Sequence, residues 1–512
     1  MTVDDDDLLR LFSSASLVLA GTIFASVSKL VERVVVARWL SAGAFGEVSL
    51  ALAVVQFGVT FGLLGLNKGI PRFVSRYEAD RDVRGVWLSG LVITGVVSVL
   101  VAAVAFVFDI GVVTDPFFER SSSDTLLRLY LLGLPFVIGM TVAIGTIRGL
   151  EHTIYKTYTQ DLCYPVARIV LLVGLLSAGF GIHAAGLSYL LASILAFVAA
   201  HVLLDRLVRL AGAVRFHGRE LVAFSAPLIV ATVLSRLLTW TDTLMLGFFR
   251  SSREVGLYSA AYPLATSLVL MFGAFGFMYL PLTSRLDAED EHDEIDRVFT
   301  LTTKWILIGT FPAFLVLTVF SDDVLGVLYG PTYTPAATAL TVLAVGFFTH
   351  AAAGRNRETI SALGYTKYVF LSNVVGFACN VVLNLVLIPR FGMVGAAVAS
   401  ASSYCLLNCF VNAVLKLRFG ISSFSGPVVR TVVLLPLVVV PPAVAVSNWV
   451  TLTVYTVPVA LVAGGVATVA VVSLGGGLQA EDRVVIEFVE DLVGRPVPVV
   501  HRYLPETPAP EE

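Results

Sequence analysis

The sequence predicts an all-α polytopic membrane protein of about fourteen transmembrane helices, arranged as two parallel six-helix repeats followed by two C-terminal helices. Three observations carry this. Only 14% of the 512 residues are charged, where a soluble globular protein has about 25%. The mean hydropathy is +0.87, and apolar stretches long enough to cross a bilayer, roughly 20 residues each, recur along the whole chain. Blocks of the first half also return in the second half in the same order.

The apolar stretches fall at 12–36, 46–67, 85–108, 125–147, 161–180, 184–204, 221–249, 256–281, 299–320, 335–353, 366–388, 393–415, 430–447 and 452–474. Hydrocarbon offers no water to backbone N–H and C=O groups, so each stretch must satisfy its own backbone as a helix. The start, MTVDDDDLLRL, lacks the basic n-region of a signal peptide, so the first stretch reads as a retained helix. On this division residues 1–11 are a cytoplasmic N-terminus, 12–212 a first lobe, and 213–420 a second lobe. Residues 421–479 are the two extra helices, and 480–512 a polar cytoplasmic tail.

Loop charge sets the orientation. With the N-terminus in the cytoplasm, 23 basic residues lie in inside segments, and five (Arg38, Arg120, Arg250, Arg253, Arg390) lie outside. That asymmetry places both termini in the cytoplasm, in the cell membrane. The net charge of −3, without a basic aromatic-rich patch, excludes a nucleic-acid partner. Cys163, Cys379, Cys405 and Cys409 sit in apolar stretches and read as small buried hydrophobes rather than as disulfides or metal ligands. The acidic loop DAEDEHDEID (287–296) and the pairs Asp322–Asp323 and Asp115/Glu119 read as solvated loops. No metal and no cofactor are expected.

The repeat is read directly. ARWLSAGAFGEVSLA (37–51) aligns with GFFRSSREVGLYSAA (247–261) at an offset of 210, pairing Gly46 with Gly256 and Ser49 with Ser259. FGIHAAG (180–186) aligns with FGMVGAA (391–397), and IRGLEHTIY (147–155) with ISALGYTKY (360–368). Six helices per copy is an even number, so the copies run parallel. A duplicated bundle with short outer loops suits alternating access around a central cavity. A membrane glycosyltransferase or polymerase would need a large external loop carrying essential acids; the longest here, DIGVVTDPFFERSSSD (109–124), is short.

Several blocks carry a family resemblance: ARWLSAGAFGEVSLALAVVQFGVTFGLLGLNKGIPRFVSRY, DTLMLGFFRSSREVGLYSAAYPL, VLYGPTYTPAATALTVLAVGFF, and the long stretch from ISALGYTKY to AVASASSY. Together they resemble the polysaccharide-biosynthesis branch of the multidrug/oligosaccharidyl-lipid/polysaccharide (MOP) exporter superfamily. The resemblance implies a V-shaped two-lobe transporter in which helices 1 and 7 line the cavity. It implies a flippase for a polyprenyl- or dolichyl-phosphate-linked oligosaccharide, not an enzyme, serving protein glycosylation or surface polysaccharide assembly. A cation-coupled drug or metabolite antiporter and a peptidoglycan-precursor flippase of the same superfamily remain alternatives. The partners so implied are the lipid-linked glycan and membrane lipid, with the protein read as a monomer.

A phosphate-linked sugar does not cross hydrocarbon unaided, because its charge and hydroxyls would lose their hydration. Cations inside the helices are therefore the first candidates for binding it. Lys29, Arg33, Arg128, Arg168, Arg236 and Lys304 lie within the apolar stretches. Lys29 and Arg33, four apart, share a face of helix 1; Arg236 lies on helix 7, its repeat counterpart. Asn380 and Asn384, four apart on helix 11, either meet sugar hydroxyls or bond helices together. The offset of 210 places Asp242 on Glu32. Each acid either forms a structural ion pair, with Arg236, Lys29 or Arg33 as the counter-charges considered, or binds H+ or Na+ as a coupling or gating group.

Overall fold

The computed structural model describes residues 5–107, 122–422, 426–479, 482, 483, 485 and 486. Among them every regular element is helical. The chain runs α1 (Asp5–Trp39), α2 (Ala42–Leu63), α3 (Leu66–Val74), α4 (Asp80–Val107), α5 (Ser122–Gly149) and α6 (Thr153–Lys156). A π-helical turn, Thr157–Cys163, leads into α7 (Tyr164–Ser177) and α8 (His183–Leu207). Then come α9 (Gly218–Phe249), α10 (Ser252–Thr266), α11 (Phe272–Ala288), α12 (His292–Val319), α13 (Ser321–Tyr329) and α14 (Ala337–Ala352). The chain closes with α15 (Asn356–Ala362), α16 (Thr366–Phe419), α17 (Gly426–Ser447) and α18 (Thr456–Leu474). Among the described residues, ten helical stretches are long and apolar enough to cross a membrane. Asp115, Glu119 and most of the tail lie outside the described residues.

Helix 11 and helix 12 of the sequence reading are the two limbs of α16. They are two helices that meet at Gly392, whose φ of 55° and ψ of −133° lie outside the helical range. A Cβ on Gly395 would lie 2.4 Å from the Leu387 carbonyl oxygen, so IPRFGMVGAA folds back tightly on itself.

The chain forms two compact units, Met1–Ser259 and Ala260–Glu512. In the first, α5 packs along α8, α4 against α5, and α7 against α8. Leu66, Ile70, Val74, Val83, Val86, Val142, Val208 and Leu221 form one core, drawn from α3, α4, α5, the 208–217 segment and α9. The 208–217 segment that joins α8 to α9 is fastened to α4. Arg84 donates to the carbonyls of Arg209 and Ala213 at 3.0 Å, and the Arg215 amide donates to Arg81 O at 3.1 Å. The His217 ring lies 2.9 Å from the Asp82 carboxylate. Within this unit α9 packs on α2, α3 and α4.

In the second unit α12 packs against α14, α17 and α18, and α14 against α16. Tyr279, Ile295, Phe299, Ile360, Val411 and Leu415 are central to its core. Lys304 of α12 and Asp482, beyond α18, form a fully buried ion pair at 2.6 Å. Trp305 Nε1 donates to the other carboxylate oxygen at 2.8 Å, and Lys304 also donates to Gly477 O at 3.2 Å. The sequence reading placed Asp482 in a polar tail; its burial comes from this set of donors, which replaces the water the carboxylate gives up. Asp323 is likewise more than a solvated loop acid: it accepts from the Leu452 amide at 2.7 Å and ties α13 to the turn before α18.

The cysteines depart from expectation. Cys163, Cys405 and Cys409 are exposed and Cys379 is intermediate, all as free thiols. An apolar solvent removes the drive that buries small hydrophobes in water-soluble proteins, so helix surfaces facing lipid carry them equally well.

Candidate functional site

The apolar run around helix 1 carries Lys29, Glu32 and Arg33 on adjoining faces of α1. At about 100° per residue, Lys29 and Arg33 nearly eclipse each other and Glu32 flanks them. Lys29 is exposed and Arg33 half-buried. Arg33 donates to the Ser259 carbonyl of α10 at 3.3 Å. Arg236, on α9, is exposed. The charges of Arg168, Arg33 and Arg236 all act on the Lys29 ammonium as like charges, and Asp161 as an opposite one. Arg33 and Arg236 thus stand near enough to Lys29 to act on its charge, on α1 and α9 of the first unit.

The two acids are held differently. Glu32 forms an ion pair with Arg168 of α7, both side chains largely buried. The sequence reading had offered Arg236 or Lys29 as its partner and listed Arg168 only among intramembrane cations. Arg168 also lies over the rings of Tyr189 at 5.1 Å and Tyr164 at 5.6 Å. Tyr130 and Tyr189, each 1% exposed, close the pocket with ring centroids 4.8 Å apart. Asp242, 1% exposed, accepts from the Tyr258 hydroxyl of α10 at 2.7 Å. Its neighbour Thr241 spends its hydroxyl on Leu237 O in its own helix at 2.6 Å.

A third acid lies beside this region. Asp161 sits in the π-helical turn and pairs with Lys156 at 2.7 Å. A Cβ on Gly21 would lie 2.5 Å from Thr157 and 3.3 Å from Asp161, so α1 crosses this turn closely. In the second unit, Asn384 donates to Asn380 at 3.0 Å, and both are buried. Their i, i+4 spacing thus yields a bond within α16. No group of three or more His, Cys, Asp or Glu able to hold a metal occurs among the described residues.

Sequence reasoning missed Arg168 as a partner, the Tyr130–Tyr164–Tyr189 box and Tyr258. Tyrosines in an apolar helix look like ordinary interface residues, and only the tertiary pairing shows what their rings and hydroxyls meet.

Comparison with known proteins follows the same lines. A family described as "Polysaccharide biosynthesis protein" matches residues 11–287, and one described as "MatE" matches residues 227–386. The probable low-salt glycan biosynthesis flippase Agl15 of Haloferax volcanii is 28% identical over 211 residues, 41% of this chain and 43% of that protein. The match thus spans less than half of that relative. The probable flippase AglR of the same organism is 22% identical over 418 residues, 80% of this chain and 83% of that protein. The inward closed conformation of the lipid II flippase MurJ superposes with a TM-score of 0.67 at 14% identity, covering 89% of this chain and 97% of that one. That likeness establishes the shared fold.

Proposed function

Because the chain belongs to the polysaccharide biosynthesis protein family, we propose that it is a flippase for a polyprenyl- or dolichyl-phosphate-linked oligosaccharide. It moves this lipid from the cytoplasmic to the outer leaflet of the cell membrane by alternating access, as a monomer with both termini in the cytoplasm. The supporting observation is the gathering of Lys29, Arg33 and Arg236 in one region of the first unit. A cation held at membrane depth is costly and calls for an anionic partner. The phosphate of a lipid-linked glycan is such a partner, and of the relatives named above one is by its name a probable glycan biosynthesis flippase and the other a probable flippase.

Coupling to H+ or Na+, where it operates, is assigned to Asp242, a buried carboxylate on the repeat counterpart of α1. A second reading, a cation-coupled antiporter, draws on the MatE match over residues 227–386. It is disfavoured by the sign of the site, because an exporter of cations is served by an excess of acids. The protein performs no covalent chemistry in this account.

Deletion of the gene followed by analysis of lipid-linked sugars tests the proposal. Cytoplasm-facing lipid-linked glycan accumulates and surface glycan is lost. Unchanged surface glycan with altered drug tolerance contradicts it and favours the antiporter.

A further inference from the structure

We propose that Arg168 is a positioning residue for the cationic site: by holding Glu32 it sets the rotation of α1 that presents Lys29 and Arg33, and it keeps that carboxylate from competing with the substrate's phosphate. The inference rests on the flippase reading and deepens it.

The geometry runs through one helix. Glu32 lies three residues after Lys29 and one before Arg33, so at about 100° per residue it flanks the Lys29–Arg33 stripe. Its only ion pair among those described is with Arg168, on α7, 136 residues away. Arg168 cannot swing freely, because Tyr164 and Tyr189 cover its guanidinium and Tyr130 packs on Tyr189. An anchor from a fixed point on α7 to one flank of α1 fixes how far α1 can turn about its axis.

The charge argument is independent of the rotation. A carboxylate without a counter-cation in a site of low dielectric either takes up a proton or attracts whatever cation is near. Here the Lys29 ammonium stands on the same helix, three residues before Glu32. A Glu32 released from Arg168 would neutralise Lys29 and weaken capture of phosphate. The Arg168 guanidinium occupies the Glu32 carboxylate, so Glu32 does not draw on Lys29. Tyr130 on α5, Tyr164 and Arg168 on α7 and Tyr189 on α8 stand around Glu32, and Arg168, Arg33, Arg236 and Asp161 around Lys29. Asp161 is paired with Lys156, and Arg168 is the ion-pair partner of Glu32 among the described residues.

The test uses the full chain in liposomes with a short-chain polyprenyl-phosphate sugar as the probe. Arg168→Gln raises the half-saturating probe concentration about tenfold, worth ~1.4 kcal/mol, and leaves maximal turnover within about threefold of the unmodified protein. The double variant Glu32→Gln/Arg168→Gln recovers part of the loss, because the competing carboxylate is gone while the anchor of α1 is still missing. Equal impairment of the single and double variants, or loss of turnover with unchanged half-saturation, overturns the proposal and leaves a merely structural pair. Equilibrium binding of the same probe to the purified protein gives a readout that needs no flipping. Arg168→Gln binds it about tenfold more weakly, and the double variant recovers part of that loss. Unchanged binding by Arg168→Gln contradicts the proposal. An unmodified protein that binds the probe but fails to flip it counts against the flippase reading alone, and the binding series still decides the role of Arg168.

Discussion

Gly46 on α2 and Gly256 on α10, equivalent positions in the two halves of the duplicated sequence, pack against each other. A Cβ on Gly46 would lie 1.7 Å from the Ser252 carbonyl oxygen, and one on Gly256 would lie 2.0 Å from that of Ala42. Ala42 and Ser252 are themselves 210 residues apart. Each helix thus offers its first-turn carbonyl to the other's glycine. The alignment that revealed the duplication is therefore also the alignment of a contact.

Adding a methyl group here must push backbone from backbone, since no side chain is present to yield. Gly46→Ala and Gly256→Ala each lower stability by about 1–3 kcal/mol, the range for overpacking. Because both changes act on one contact, the double variant loses less than the sum. Thermal unfolding of the purified protein measures this; additive losses would show that the two glycines do not share a contact.

The buried pair Lys304–Asp482 behaves differently from a surface ion pair. Lys304→Met leaves the Asp482 carboxylate buried without its ammonium and costs about 3–5 kcal/mol. The double replacement Lys304→Met/Asp482→Leu recovers much of that loss, because neither charge remains to be desolvated. Denaturation of the three proteins distinguishes them, and a single variant as stable as the original would mean that the tail is not held through this pair.

Tyr258→Phe removes the hydroxyl that donates to Asp242 at 2.7 Å. A hydrogen bond to a charged group contributes about 1.5–3 kcal/mol. Stability falls by that order while membrane abundance is kept. Tyr258→Phe indistinguishable from the original in thermal unfolding would show that the bond contributes nothing.

Arg236→Ala tests the cationic region without disturbing the Glu32–Arg168 pair. Its exposed side chain stabilises little, so the protein folds and reaches the membrane normally. Flipping of the lipid-linked glycan falls at least about tenfold, the loss of one charge-assisted contact to phosphate. Normal flipping with normal abundance would remove Arg236 from the substrate path.

The helical character and the duplication were legible because they follow from local rules. Apolar length gives helices, an offset gives the repeat, and the four-residue spacing of Lys29 and Arg33 gives a shared face. The partners of the buried acids were not. Arg168 meets Glu32 across 136 residues, and nothing within either helix marks the pairing. Asp482 stands in a stretch whose polarity speaks for solvent, and only the donors Lys304 and Trp305, far upstream, explain its burial. The exposed cysteines were misjudged by a rule made for water, in which apolar surface is hidden. The π-helical turn at Thr157–Cys163 has no sequence signal of its own; TYTQDLC straddles the start of the apolar stretch at 161.

Transport of a lipid-linked glycan is measured most directly as leaflet exchange of a labelled polyprenyl-phosphate sugar in liposomes that contain the purified protein. The protein is expected to expose the inner-leaflet probe to an external sugar-modifying reagent, at a rate that depends on protein and falls at least about tenfold in Arg236→Ala. No protein-dependent exchange, together with ion-driven uptake of a cationic drug by the same liposomes, would contradict the flippase function.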